Sequence, residues 1–328
     1  MKVLSYIKGN DGSSYHRVTM PNRTIDAEIR EVAELTEPDL AWCDILHFSR
    51  HTIVAARFLD ELKRKHGFKV ILDNDDWWEV HPDHPKYYLW TKSNTALQVR
   101  SHMMYSDAVT CTHERMADAI RVYNPNVYVI PNALDYGKGQ FRYKKQKTSD
   151  KVRLLYASTI MNYSNTAIIA GAMKKLKHLN IEIVIAGHHD SPLFDILVKN
   201  LTADGEIPHR FTKWSSPDNY MSGYEGDIGI LPSKPTKFNS YKSNLKVLEY
   251  GALKIPAVVS ECDPYLGMDV NYFNGENSFV EHVTRLVEDP LYRVKRGEDL
   301  YKFCKHNYNL ADYADRRLSI YKEVYGLH

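Results

Sequence analysis

The chain has 328 residues, 43% of them hydrophobic and 26% charged, with a formal net charge of +2. This length suits two domains of roughly 150 residues each, and the composition is globular rather than fibrous or disordered. A charge so near zero does not by itself point to a polyanionic partner, and no apolar run reaches the roughly 18 residues of a membrane span.

The start, Met1-Lys2-Val3-Leu4-Ser5-Tyr6-Ile7, turns polar too soon for a signal peptide and predicts a first strand instead. Further apolar runs at Asp44–Phe48, Lys69–Leu72, Ala108–Cys111 and Val127–Ile130 predict more strands. Helical patterns over Ile53–Lys65 and Ala96–Tyr105 lie between them. Strands alternating with helices predict a parallel sheet covered on both faces. Residues 135–151 hold Gly137, Gly139, several lysines and few apolar side chains; this is linker composition, and its basic run could also touch a polyanion. A second series of strands follows at Val152–Ala157, Ile181–Ala186, Ile228–Leu231, Ala257–Ser260 and Phe279–Val280, with helices over Thr166–Leu179 and Leu245–Leu253. The tail from Asp289 to His328 is helical in pattern. Two doubly wound α/β halves facing each other would leave a cleft between the carboxyl ends of their strands.

The four cysteines, Cys43, Cys111, Cys262 and Cys304, form no CxxC pair. That spacing offers no metal or redox motif and suits reduced thiols in a cytoplasmic protein. His81, His84 and His113 have no metal-ligand spacing with them, so no metal is expected.

Ser243 to Ser260 reads as a capped helix, a tight turn and a buried strand. Ser243 and Asn244 are cap residues, and a helix start presents free N–H groups to an anion. Lys246 adds positive charge, and Glu249, one turn on, can accept from sugar hydroxyls. A nucleotide-sugar carries both groups; a plain cap followed by an exposed Lys–Glu face is the alternative.

Val70 to Glu79 runs from a buried strand into Asp73, Asp75, Asp76, Trp77 and Trp78. A carboxylate at a strand's carboxyl end, Asp75 first and Asp76 second, could act as a base or stabilise charge at a sugar carbon. Crowding raises the pKa of one of them. Helix capping or metal binding by the Asp-x-Asp pair are the alternatives. Trp77 and Trp78 either stack on an acceptor or pack in the core. In the loop after the first strand, Gly12 and Ser13 offer backbone N–H groups to a phosphate or an acceptor. Arg17, just beyond, is either a phosphate or acceptor contact or a surface arginine.

The segments Val129–Asp135, Arg153–Ser158, Ile183–Gly187, Asp227–Ser233 and Ser243–Ser260, in this order and spacing, resemble glycosyltransferase family 4. Ser13–Pro21 is similar to a loop of phage-encoded members. The resemblance covers nearly the whole chain. It implies the GT-B fold, with a Rossmann-like acceptor domain at 1–135, a linker at 136–150, a donor domain at 151–309 and a last helix near 310–328 packed back on the first domain. It implies a hexosyl- or pentosyltransferase that needs no cofactor. The sugar would pass from a nucleoside-diphosphate sugar, a UDP-sugar favoured, to an acceptor hydroxyl with retention. The acceptor would be a glycan or a hydroxylated base in phage DNA. Ser158, Gly187, His188, Lys213 and Trp214 would join Ser243, Asn244, Lys246 and Glu249 around the donor. Two departures stand out. Tyr241 occupies the position of the family's first Glu, and Ser158–Ser164 lacks the usual Arg and Lys. They leave open a second function, a non-catalytic GT-B-shaped protein that binds a nucleotide-sugar or glycan.

Overall fold

The computed structural model describes residues 1–7, 9, 11–50, 54–145, 148–187, 190–213 and 215–326. Strands β1 (Lys2–Tyr6), β2 (Glu28–Val32), β3 (Ile45–Ser49), β4 (Lys69–Asn74), β5 (Ala108–Cys111) and β6 (Val127–Val129) form one sheet. Its order is β2-β1-β3-β4-β5-β6, and every pair is parallel. Strands β7 (Val152–Ala157), β8 (Ile181–Ala186), β9 (His209–Thr212), β10 (Ile228–Leu231), β11 (Ala257–Ser260) and β12 (Asn271–Phe273) form a second parallel sheet in the order β12-β11-β10-β7-β8-β9. The order reverses between β1 and β3 in the first sheet and between β7 and β10 in the second, where open α/β sheets place their ligands.

Central strands such as β3, β5, β10 and β11 are buried along their whole length, which is why they read as continuous apolar runs. Three strands escape that signal. β2 is an edge strand with the sequence Glu-Ile-Arg-Glu-Val, largely exposed; β9 and β12 are the short edges of the second sheet. Charged edges discourage pairing with other chains, and the same charges hide the strand. Phe279–Val280, expected as a strand, lies instead in the Glu276–Glu288 helix, with Phe279 facing the core. The expected Thr166–Leu179 helix is α-helical only over Ala170–Leu176, after a 3-10 stretch at Ile160–Ile169.

The helix Ala314–Tyr325 packs on the first sheet. Ile320 and Tyr321 join Val3, Ile45, Ile71 and Ala108 in one apolar cluster. The Tyr321 hydroxyl lies 3.0 Å from Nδ1 of the buried His47. Where the chain crosses between the sheets, its outgoing and returning segments pair. Leu134 N–H donates to the Tyr308 carbonyl at 3.0 Å, and Leu310 N–H to the Leu134 carbonyl at 2.9 Å. Among the described residues no helix is long and apolar enough to cross a membrane.

Candidate functional site

The carboxyl ends of the two sheets enclose a cleft of about 960 Å³. Its second-domain wall is built on the helix Leu245–Ala252, which leads to β11. Val247, Leu248, Tyr250 and Ala252 of this helix are buried in the core, which fixes Lys246 and Glu249 on the cleft side. Asn244 stands at the N-cap position, but its side chain makes no capping bond; its amide donates instead to Met268 Sδ at 3.4 Å, and it does not line the cleft. Ser243 does line it, with its hydroxyl accepting from Asn132 Nδ2 at 2.8 Å. The expected Ser/Asn side-chain cap is therefore corrected: both side chains are engaged elsewhere. The first-turn N–H groups have no capping side chain, and a helix start in that condition favours an anion.

Glu249 is 1% exposed. Its Oε1 accepts from the Tyr220 hydroxyl at 2.8 Å, and its Oε2 from the Tyr224 hydroxyl and Lys246 Nζ, both at 2.7 Å. Burial alone would raise its pKa. The Lys246 charge and the donated hydrogen bonds outweigh burial and hold the carboxyl below its ordinary value. On the other side of Tyr220, His16 Nε2 lies 2.9 Å from the same hydroxyl. Burial pushes this imidazole down to about 4, so it is neutral near pH 7. Ser158, Gly187 and Lys213 border the same cleft. Ser158 Oγ accepts from Asn162 Nδ2 at 2.8 Å, and Gly187 takes a φ of +106° where β8 ends, a conformation suited to glycine. His188 and Trp214 lie outside the described residues.

The first-domain wall comes from the loops after β1, β3 and β4. Gly12 and Ser13 line the cleft, and Ser13 Oγ donates to Asp75 Oδ2 at 2.6 Å. Arg50 places Nη2 2.8 Å from Asp76 Oδ2 and Nε 3.3 Å from Asp75 Oδ1. Two atoms of this group, Asp75 Oδ1 and Arg50 Nη1, are buried without a hydrogen-bond partner among the described residues. Burial raises the pKa of Asp76, and the Asp75 charge adds to it, against the opposing charges of Arg50 and Lys242. Lys242 reaches Asn162 Oδ1, and burial lowers the pKa of its amine.

Two expectations change. Arg17 is neither a surface residue nor a free ligand contact. It is 1% exposed, with Nε and Nη2 each 2.8 Å from the Asp73 carboxylate and Nη1 bonded to the Ile130 carbonyl and Asn132 Oδ1. Although it borders the cleft, its guanidinium ties the end of β4 to the segment after β6. Trp77 and Trp78 are buried in the first domain's core. Their rings stack at 4.0 Å, and Tyr241 covers Trp77 at 4.4 Å. They offer no open platform to an acceptor. Tyr241, in the place of the resembled family's first Glu, thus faces this aromatic stack.

Sequence patterns missed His16, Arg50, Tyr220, Tyr224, Lys242 and Trp90, all on the cleft wall. Trp90, whose Nε1 donates to the Trp78 carbonyl at 2.9 Å, sits in a short helix at Tyr87–Lys92 that buries none of its residues and so lacks an apolar period. The only signal for Tyr220 and Tyr224 was their four-residue spacing.

No family model matches the chain, and no curated protein matches it. Solved structures do match its fold. A sucrose-phosphate synthase from Thermosynechococcus elongatus has a TM-score of 0.69 at 11% identity, over 100% of this chain and 99% of that one. HepE from Anabaena, in complex with UDP and glucose, has a TM-score of 0.68 at 10% identity, over 98% and 100%. TarM has a TM-score of 0.62 at 10% identity over 84% of this chain and 54% of its own, so the chain spans about half the length of TarM. Two doubly wound parallel sheets set face to face across one cleft, matched end to end by the first two of these structures, give this chain the GT-B fold.

Proposed function

We propose that the protein is a glycosyltransferase that moves a sugar from a nucleoside-diphosphate sugar, UDP-sugars first, to an acceptor hydroxyl. One observation carries this: an uncapped helix start bearing Lys246 and Glu249 shares a single cleft with the Asp75–Arg50 ion pair, each member of which keeps a buried polar atom without a hydrogen-bond partner among the described residues. The diphosphate sits at the helix N-terminus with Lys246 as its cation. Glu249 accepts from ribose hydroxyls, alongside Tyr220 and Tyr224. Asp75 Oδ1 and Arg50 Nη1 hold the acceptor hydroxyl and the developing charge. The bond from the sugar's anomeric carbon to the diphosphate breaks as the bond to the acceptor oxygen forms. The acceptor proton passes to Asp75 or to the departing diphosphate, and retention is the expected outcome. HepE, whose fold this chain shares, was solved with UDP and glucose, which supports UDP as the first donor to try. No cofactor or metal has a part in this scheme.

Calorimetry with UDP tests the donor site. Lys246→Ala removes a charged hydrogen-bond donor and should weaken UDP binding about tenfold or more; an unchanged affinity would refute the site. A second reading, binding without turnover, is favoured by Tyr241, which puts an aromatic ring on Trp77 where the resembled family carries its first Glu. UDP binding with no hydrolysis or transfer from any UDP-sugar, and equal behaviour of Asp75→Ala and the parent, would select it.

A further inference from the structure

Two stretches of the chain contain no acidic residue: 84–106, with Lys86, Lys92 and Arg100, and 228–248, with Lys234, Lys237, Lys242 and Lys246. The fold brings them together at the mouth of the cleft, where the Phe238 ring packs against His84 at 5.3 Å and both side chains line the opening. Arg100 and Lys246 are paired with Glu79 and Glu249, and Lys242 faces Asp76. Lys86, Lys92, Lys234 and Lys237 make no ion pair among the described residues. Three of these four are exposed, and Lys237 lies over the Trp77 ring at 4.1 Å. Beside them the Tyr87–Lys92 helix turns Tyr88 (71% exposed) and Leu89 (63%) to solvent. Trp90 of the same helix, with Ser93, Thr95 and Gln98, lines the cleft.

We propose that the acceptor is a single-stranded polynucleotide that runs along this rim and sends one nucleotide past Trp90 toward Asp75. The proposal rests on the transferase reading and names its acceptor class. Unpaired lysines suit phosphates, exposed aromatic faces suit bases whatever their identity, and hydroxyl and amide side chains suit the remaining polar edges. Leu89, Leu97 and Met104 are also exposed, and a lipid surface is therefore the competing occupant that vesicle binding decides. In the reaction the sugar's bond to the diphosphate is exchanged for a bond to a hydroxyl of the entering nucleotide, whose proton leaves with Asp75 or the nucleoside diphosphate.

The test is fluorescence anisotropy with a short fluorescein-labelled oligothymidylate, with calorimetric UDP binding measured on the same full-length preparation. Saturable binding is expected, with a log–log salt slope of about −3, roughly 0.7 for each of the four lysines. Replacing Lys86, Lys92, Lys234 and Lys237 together by Ala should remove most of that slope. Tyr88→Ala should weaken binding about fivefold or more and leave the slope unchanged. UDP binding without oligonucleotide binding overturns this inference and spares the transferase reading. Oligonucleotide binding without UDP binding overturns the transferase reading and the acceptor role with it. Equal or tighter binding to phosphatidylglycerol vesicles assigns the rim to lipid, and indifference to Tyr88→Ala reduces it to a general polyanion contact; either result overturns the proposal.

Discussion

The Tyr220 hydroxyl donates to Glu249 Oε1 at 2.8 Å, and this one bond sets the protonation of the network around it. A phenol has a single proton to give. With that proton on Glu249, the His16 nitrogen 2.9 Å away has to be the donor. His16 therefore carries its hydrogen on Nε2 and leaves Nδ1 bare, and Nδ1 is buried without a partner among the described residues.

Tyr220→Phe breaks both bonds while keeping the ring. It leaves the His16 N–H unsatisfied and should cost about 1–3 kcal/mol in urea denaturation. His16→Phe in the same background should cost much less than in the parent, because its hydrogen bond is already gone. Additive losses would mean that the two residues do not act through the shared hydroxyl.

Arg17 and Asp73 form a buried ion pair with bidentate geometry. Thr110 also donates to Asp73 at 2.7 Å. Arg17→Met strands a carboxylate in the core and should cost about 3–5 kcal/mol. Arg17→Met combined with Asp73→Leu should recover part of that loss, because an apolar pair replaces the uncompensated charge. A double variant no more stable than Arg17→Met would show that the guanidinium acts mainly through its bonds to Ile130 and Asn132.

Stability should fall on acidification below pH 6.5. Burial pushes His16 down to about 4 and His47 down to about 3, whereas an unfolded chain titrates them near 6.5. Between those values the unfolded state binds protons that the folded state refuses. The stability is therefore complete above about pH 6.5 and declines as the pH falls toward 4. Each histidine contributes about 1.4 kcal/mol per pH unit within its window. Urea unfolding at pH 6 and pH 5 measures the slope. His47→Asn should reduce it by about 1.4 kcal/mol per unit; an unchanged slope would mean that His47 is not buried neutral.

Gly229, on β10, packs under the helix that carries Glu249. A Cβ there would overlap the Tyr250 ring, and that ring cannot swing away freely because its hydroxyl donates to the Leu155 carbonyl and accepts from Ala157 N–H, each at 3.1 Å. Gly229→Ala should cost about 1–3 kcal/mol through overpacking and weaken UDP binding by displacing the helix that carries Glu249. Gly12→Ala, where a Cβ meets no atom within 4 Å, should shift stability by less than about 0.5 kcal/mol. Thermal unfolding with and without UDP compares the two.

The strands β7, β8, β10 and β11 are legible in the sequence with the bounds they have in the fold, because burial on both faces writes itself as an apolar run. β2 is not, because Glu28, Arg30 and Glu31 keep it wet at an edge. Of the candidate site, the residues at strand ends and at the helix start were readable: Ser13, Asp75, Gly187, Lys246 and Glu249 all reach one cleft. Long-range partners were not. That Arg17 closes on Asp73, that Tyr241 covers Trp77, and that Tyr220 links His16 to Glu249 are facts of the tertiary fold that no local pattern encodes.

The paired crossing of Leu134 with Tyr308 and Leu310 makes the joint between the two sheets a double filament rather than a single tether. A single tether would let the halves twist and slide. Two filaments bonded to each other restrain both, and rotation about their common line is the motion they restrain least. The contacts that such a rotation would have to break include the bonds of His16 to Tyr220, Asn132 to Ser243 and His113 to the Tyr241 carbonyl, the Arg23–Asp218 and Arg115–Asp263 pairs, and the packing of Tyr241 on Trp77 and of Phe238 on His84. One buried latch, His16 on Tyr220, hangs from the same hydroxyl that donates to Glu249. Glu249, the proposed donor contact, and the His16–Tyr220 bond between the two halves therefore belong to one hydrogen-bonded chain.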